Sequence, residues 1–564
     1  METYLIMIAL FAVFLTISAL IGWRDRKRLD ARERTKLAAS FGKTGGKEYT
    51  AERLKELRQS SARYFAEQPG SKFTVDEITW NDLDMDLVFK SMDSTCSNAG
   101  EEYLCGLLLC PRTDGSTGVS EEGLLWWKQN EAERVNVQRI LQSLGRGSKY
   151  SLRDYIGLMG SLPDRSAVKE LYTVLLTAVS FGIMYFHPAA GLLCLLGSFA
   201  LNILTYFRAK REIDPYLFTF RYVMRLLACG RALAEELFPH YEDEKETMRS
   251  VDRSLSSFKR GSGILLRGSG GVSSVNPLDL FLDYLCMLFH IDLMKFASMR
   301  RSILGKEKEI DALLDAVGSI DAQISIASWR ESLPFYTVPD LTGSRYEVTD
   351  LIHPLLKDPV PNSIDASSPV LLTGSNASGK STFLKAAALA ALLSQSVHTA
   401  PAASYRSCCY RIYTSMALRD DLVSGESYFI VEIRSLKRVL DAASEEGKAP
   451  VLCCVDEVLR GTNTTERISA STEILLTLSK LPMQIFAATH DLELTELLSG
   501  AYVNYHFTET LEGEDVKFSY QLTEGPADSR NAIRLLRAMG YDPAITDRAQ
   551  KRAEHYSKSG RWER

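Results

Sequence analysis

The chain has 564 residues, 45% hydrophobic and 24% charged, an ordinary globular composition in a length that exceeds one hydrophobic core and calls for two or three domains. A formal net charge of −5 excludes a chain-wide basic surface that would hold nucleic acid by charge alone, leaving only a local basic face for that role. The ten cysteines are scattered, with Cys408-Cys409 and Cys453-Cys454 adjacent and none in a Cys-x-x-Cys spacing. Zinc and dithiol redox sites of that pattern are excluded, and reduced, buried thiols facing a reducing cytoplasm are expected.

Thr3 to Trp23 (TYLIMIALFAVFLTISALIGW) carries no charge and matches the roughly 20 residues a helix needs to cross hydrocarbon. A cleaved signal peptide has its basic residues before the apolar run, whereas here Glu2 precedes it and RDRKR (Arg24 to Arg28) follows. That order favours an uncleaved anchor with the next segment in the cytoplasm. From Arg24 to about Gln68, charges of both signs alternate along a helical pattern. A solvated juxtamembrane helix is expected there, with attraction to anionic lipid as the functional rival.

Leu83 to Leu109 and Glu121 to Leu144 repeat apolar residues at three and four and read as packed helices. Leu171 to Phe207 lacks Asp, Glu, Lys and Arg and is interrupted by HPAAG (His187 to Gly191). Two short spans joined by a tight turn fit, and Lys169 before them with Arg208, Lys210 and Arg211 after them puts both ends in the cytoplasm. The alternative is a buried helical hairpin in a soluble domain. After an expected break at Glu212, Ile213, Asp214 and Pro215, the helical period returns over Tyr216 to Phe238 and Leu278 to Ala322, around a Gly/Ser-rich loop from Gly261 to Pro277.

Beyond Pro334 the texture becomes short apolar runs separated by turns and helices. VLLTG (Val370 to Gly374), VLCCVDE (Val451 to Glu457) and QIFAATH (Gln484 to His490) read as buried parallel strands whose carboxyl ends face a ligand. Gly374, Ser375, Asn376, Ala377, Ser378, Gly379, Lys380, Ser381 and Thr382 follow the first strand and match G-x-x-x-x-G-K-[ST]. In such a loop the amides cradle phosphates, Lys380 reaches the β and γ oxygens and the Ser381 hydroxyl ligates magnesium. Asp456 is then expected in the magnesium shell and Glu457 as the base that polarises water, with His490 sensing phosphate or positioning that water.

GSNASGKSTF, DDLVSGESYFIVE (Asp420 to Glu432), DEVLRGTNTTER (Asp456 to Arg467) and ATHDLELTEL (Ala488 to Leu497) resemble, in that order, the motifs of the MutS family of ATPases. IHPLL (Ile352 to Leu356) adds to the likeness, and the passage from Leu83 looks like the start of the family's core and lever region. The resemblance implies a homodimer with composite ATP sites, in which Ser424, Gly425, Glu426 and Ser427 reach the nucleotide of the opposite subunit. It also implies that Gly461, Thr462 and Asn463 form the loop joining the two sites. The motif order relates the chain to transporter ATPases as well.

Departures from the family pattern are equally specific. No small mixed domain with a Phe-x-Glu mismatch reader fits before Leu83, Phe65-Ala66-Glu67 sits in a charged helical stretch, and Val360 stands near the place of the aromatic that covers adenine. A DNA clamp has little room beside the hairpin.

The expected fold is α plus α/β: a membrane-anchored helical core and lever followed by a P-loop ATPase domain with a mainly parallel sheet. Its segments are an N-terminal span (1–23), a juxtamembrane helical stretch (24–82), the first part of the core (83–168), a transmembrane hairpin (169–211), the second part of the lever (212–330) and the ATPase domain (331–564). The expected function is ATP hydrolysis coupled to lever motion, with DNA as the family-level partner in mismatch repair or recombination. The alternative is an ATP-gated scaffold at the cell membrane acting on a protein or membrane partner without DNA.

Overall fold

Short capped helices build the first half, and the computed structural model shows why each begins where it does. It describes residues 24–25, 27–66, 73–145, 153, 167–236, 238–259, 287–375, 378–416, 428–459, 462–512, 515–527, 533, 536–537, 539–559 and 561–562. After α1 (27–40) come α2 (Ala51–Phe65), α3 (Glu77–Asp82), α4 (Met85–Met92), α5 (Asn98–Leu109), α6 (Glu121–Gln129) and α7 (Glu131–Leu144). Thr50, Asp76, Ser97 and Ser120 cap α2, α3, α5 and α6 by accepting from backbone N–H groups of the first turn, which satisfies donors a helix start leaves orphaned.

The stretch expected to be a solvated helix contributes to the core instead, because Leu54, Leu57 and Phe65 of α2 are buried. Phe65 packs edge-on against Tyr103, with ring centroids 5.5 Å apart. A residue locked into the core in this way has no surface to present as a mismatch wedge.

Two helices form the next hairpin: α8 (Ala167–Phe186) and α9 (Pro188–Glu235), joined at His187. The expected break at Glu212 to Pro215 is absent, since α9 runs unbroken for 48 residues, about 72 Å at ~1.5 Å per residue. Pro215 removes one donor from the helical ladder, but the turns on both sides are held, with Ile213, Phe220 and Val223 buried among neighbouring helices. Within the described residues, Pro188–Ile213 is the one helix long and apolar enough to cross a membrane, and Val174–Phe186 is a shorter apolar helix. Leu171, Leu175, Val179, Phe186, Leu193, Leu196, Leu204 and Phe207 are exposed along this hairpin. Residues 3–23, expected as a further span, lie outside the described residues.

Beyond α10 (Glu242–Ser254), α11 (Ser256–Lys259) and α12 (Ile291–Ile303), the long α13 (Glu307–Ser332) forms the axis of the helical half. It is buried almost continuously from Ala316 to Arg330. Its Asp321 carboxylate accepts from the Cys96 and Ser97 N–H groups, each at 2.8 Å, and from the Ser97 hydroxyl at 2.6 Å, pinning the start of α5 to that axis.

The second half holds two sheets. A small antiparallel one, in the order β2-β1-β4, comprises β1 (Tyr346–Leu351), β2 (Asn362–Ala366) and β4 (Ser404–Arg406). The larger has the order β5-β6-β7-β3-β8-β9 and includes β3 (Val370–Thr373), β5 (Arg411–Ser415), β6 (Val451–Asp456) and β7 (Met483–Ala488). It is parallel except where β9 (Asp515–Glu524) returns against β8 (Val503–Glu512). Every residue of β3 and β6 is buried, as a central strand covered on both faces requires. Around this sheet lie α14 (Lys380–Val397), α15 (Tyr428–Ala443), α16 (Thr464–Leu478) and α17 (Glu493–Leu497), and α18 (Pro543–Ser559) is the last helix described.

One hydrophobic core runs through both halves, joining Leu104 and Leu108 of α5 and Trp329 of α13 to Leu384, Leu389 and Leu392 of α14. At the far end of α14, buried Arg330 donates to both oxygens of Glu121 at 2.7 and 2.8 Å, to the Thr399 hydroxyl at 2.8 Å and to the His398 carbonyl at 2.6 Å. A second joint meets the sheet edge. There Asp82 accepts from the Thr414 hydroxyl and the Met416 N–H, while Arg438 bridges Asp76 and the Thr414 carbonyl.

Candidate functional site

The register of the sheet gathers the candidate residues. Leu372 of β3 and Asp456 of β6 both align with Ala488 of β7, so these three strands end in one row. From the β3 end the chain enters the glycine-framed loop. Gly374 and Gly379 have φ of 136° and 111°, values that favour glycine; a side chain at Gly374 would meet the Ser378 hydroxyl oxygen at 2.9 Å. Ser378 donates to the Ser375 carbonyl at 2.8 Å and closes the loop. Asn376 and Ala377, expected in the same cradle, lie outside the described residues.

Lys380 opens α14 and is buried, its ammonium donating to the Gly374 carbonyl at 2.6 Å and the Ser375 carbonyl at 2.8 Å. The next residue, Ser381, donates its hydroxyl to Asp456 Oδ2 at 2.5 Å. This bond joins the loop to the end of β6 across 75 residues of sequence. A hydroxyl and a carboxylate oxygen side by side suit a hard cation that keeps much of its own water shell. Among the described residues no group of three or more His, Cys, Asp and Glu forms a metal cluster, and magnesium on phosphates needs none.

Glu457 follows in a left-handed conformation, φ 63°, with its N–H bonded to the Ala488 carbonyl at 2.9 Å. Its carboxylate lies 3.1 Å from His490 Nδ1. That hydrogen bond, with the charge behind it, outweighs burial and raises the His490 pKa above its ordinary value. Glu457 and His490, each expected at the site in its own role, are therefore neighbours.

Two neighbours were missed by sequence reasoning. Arg467 of α16 makes a two-pronged contact to Asp491 at 2.9 and 2.6 Å, and Asp491 stands 4.0 Å from the other ring nitrogen of His490. Both belong to quoted motifs, so the signal was membership in them rather than any local pattern. Asn463, expected in a loop joining active sites, caps α16 by accepting from the Glu466 N–H at 3.0 Å, and Thr462 donates to the Glu466 side chain. Ser424, Gly425, Glu426, Ser427 and Gly461 lie outside the described residues.

Beside the loop opens a cavity of about 340 Å³ lined by His353, Val360, Thr382, Phe383, Phe507 and Tyr520 among others. Val360 thus lines this cavity with an aliphatic side chain, and an aromatic ring arrives from β9 instead. Tyr520 has φ 54° and approaches the loop closely enough that a side chain at Gly379 would sit 3.3 Å from its ring. Asn362 fixes that stretch of β9 by donating to the Tyr520 carbonyl at 3.0 Å and accepting from the Leu522 N–H at 2.7 Å. Burial lowers the His353 pKa to about 4, and its Nδ1 accepts from the Leu355 N–H at 3.3 Å. The ring is neutral at pH 7, with its proton on Nε2.

A mainly parallel α/β domain with a glycine-framed loop, a hydroxyl–carboxylate pair and a Glu–His pair on its carboxyl edge is the class these features define. Residues 370–557 match the family model for MutS domain V. Through this domain the chain is similar to proteins of the MutS family. It is 30% identical to the DNA mismatch repair protein MutS of Lachnoclostridium phytofermentans over 48% of this chain and 30% of that protein. The DNA mismatch repair protein MutS 2 of Haloarcula marismortui and the MutS of Methanosarcina acetivorans are also 30% identical, each over 45% of this chain and 30% of their own length. The chain therefore spans about 30% of the length of these curated relatives.

Proposed function

We propose that this chain binds ATP with magnesium and hydrolyses it, as a homodimer with composite sites, and that turnover moves the helical half. The observation that carries this reading is the convergence of Lys380, the Ser381–Asp456 pair and the Glu457–His490 pair on one sheet edge. Ser381 and Asp456 would hold the magnesium, which when bound neutralises charge on the phosphates. Lys380 exchanges its loop carbonyls for phosphate oxygens. Glu457 orients and polarises the attacking water, and His490, paired with it, holds its carboxylate in place. The aromatic wall of Tyr520, Phe383 and Phe507 offers a stacking surface for the base.

For the moved partner, the likeness to DNA mismatch repair proteins supports DNA in mismatch repair or recombination. The continuity of α9 from the apolar hairpin into the lever favours the second reading, a scaffold anchored in the cell membrane as a multi-pass protein with its ATPase domain cytoplasmic. Charges near the end of the helical half are mixed and paired, as in Arg231–Asp252, Arg253–Glu246 and Lys259–Asp252, unlike the one-signed stripe of a duplex groove. The deciding experiment is DNA binding by the detergent-solubilised chain with and without ATP, on duplex, mismatched and branched substrates over a salt series. Nucleotide-dependent, salt-sensitive binding supports the DNA reading; no binding at low salt alongside intact ATP hydrolysis supports the membrane scaffold.

A further inference from the structure

Resting on the reading of Glu457 as the base, we propose that Glu432 is a positioning residue for hydrolysis. Its buried carboxylate holds the loop after β6 in the conformation that aims Glu457, so the placement of α15 governs whether the site is aligned.

The loop is locally unfavourable. Glu457 and Leu459 both lie in the left-handed region, with φ of 63° and 60°, a conformation that ordinary side chains resist and that persists only where surroundings impose it. Leucine has no polar side chain with which to stabilise that turn locally. The loop is held from outside by bonds to three different elements. The Glu457 N–H reaches the Ala488 carbonyl at the end of β7, and the Val458 carbonyl accepts from Ser471 of α16 at 3.2 Å. The Leu459 N–H donates to Glu432 Oε1 at 2.6 Å.

The third bond differs from the other two in two ways. It is charge-assisted and therefore the stronger kind, and its acceptor is a side chain of α15, an element that does not flank the loop. Glu432 is 2% exposed, so a carboxylate has been taken out of water at this point, a cost that persists only when compensating bonds are made. The side chains of Val458 and Leu459 are buried with Leu436 and Val439 of α15, so the same helix both packs the loop and supplies its acceptor. A shift of α15 would displace Leu459, and Glu457 two residues earlier would turn with it.

The test uses the full detergent-solubilised chain with Glu432→Gln, Glu432→Asp and Glu432→Ala, measuring kcat, KM and nucleotide binding for each. Gln keeps an acceptor oxygen at the same reach, and Asp keeps the charge but withdraws the oxygen by one methylene. Misplacing a reacting group by about 1 Å costs on the order of 100-fold. We therefore expect Asp and Ala to lower kcat about 10- to 100-fold with nucleotide affinity held within about threefold, and Gln to stay within about threefold of the parent. Equal losses in Gln and Asp, an unchanged kcat in Asp, or an affinity loss matching the kcat loss would overturn the proposal. The Gln and Asp comparison decides the matter even if the Ala variant does not fold. Glu457→Gln run in parallel separates the two readings: if it turns over normally, the base assignment fails independently of Glu432.

Discussion

Replacing Glu121 by Gln tests the joint between the helical half and the domain that carries the loop. Burial alone would raise the Glu121 carboxyl, but contacts from His398 and Arg330 outweigh it and hold the group at about 2 instead of its ordinary 4.5. Each pKa unit is worth about 1.36 kcal/mol, so the ionised carboxylate contributes about 3 kcal/mol to folding at pH 7. The substitution should cost at least that, since it leaves the Arg330 guanidinium buried beside a neutral amide.

The group is depressed, so its contribution is fully present above pH 4.5 and is lost as pH falls toward 2. By pH 3 the difference between parent and variant should shrink to roughly half. Urea unfolding in mild detergent, read by tryptophan fluorescence, measures it, because buried Trp329 adjoins Arg330 and buried Trp127 lies on α6. A difference under about 1 kcal/mol at pH 7, or one that does not narrow with acid, would show that Arg330 is satisfied without Glu121.

Lys380→Ala should weaken ATP binding by about tenfold or more, while Glu457→Gln should keep binding and lower kcat by about 100-fold or more, in equilibrium binding and turnover assays. Tyr520→Ala should raise KM for ATP about 3- to 10-fold with kcat unchanged, and Tyr520→Phe should leave both alone; a kcat loss without a KM change would remove the stacking role. His490 has a raised pKa because it pairs with Glu457, so its contribution to stability is full below pH 6.5 and is lost as pH rises through the raised value. Thermal unfolding of His490→Gln should therefore fall short of the parent near pH 6 and converge with it in alkali.

Much of the second half was legible because fully buried parallel strands appear as unbroken apolar runs. VLLTG, VLCCVDE and QIFAATH needed no partner to be recognised as strands, which run Val370–Thr373, Val451–Asp456 and Met483–Ala488, and the loop between a strand and a helix identified itself by spacing. The small sheet did not, since YEVTDL, NSIDA and SYR are short, half-exposed and antiparallel. Long-range contacts were equally silent. The Glu432 bond to Leu459 spans 27 residues, and the Tyr520 ring comes from a strand that follows the loop by well over a hundred positions. Pro215 misled in the opposite direction, because a proline ends a helix only when the flanking turns lack tertiary support.

The unbroken course of α9 joins in one continuous helix an exposed apolar part and a part packed into the core. A continuous helix of about 72 Å carries a change of tilt at one end toward the other. With the apolar hairpin seated in a bilayer as proposed, the thickness and lateral packing of the lipid set its inclination. Since coupling between two sites is reciprocal, the bilayer then acts as an effector of the nucleotide site as much as a place of anchorage, and turnover in thin and thick membranes should differ for the same protein.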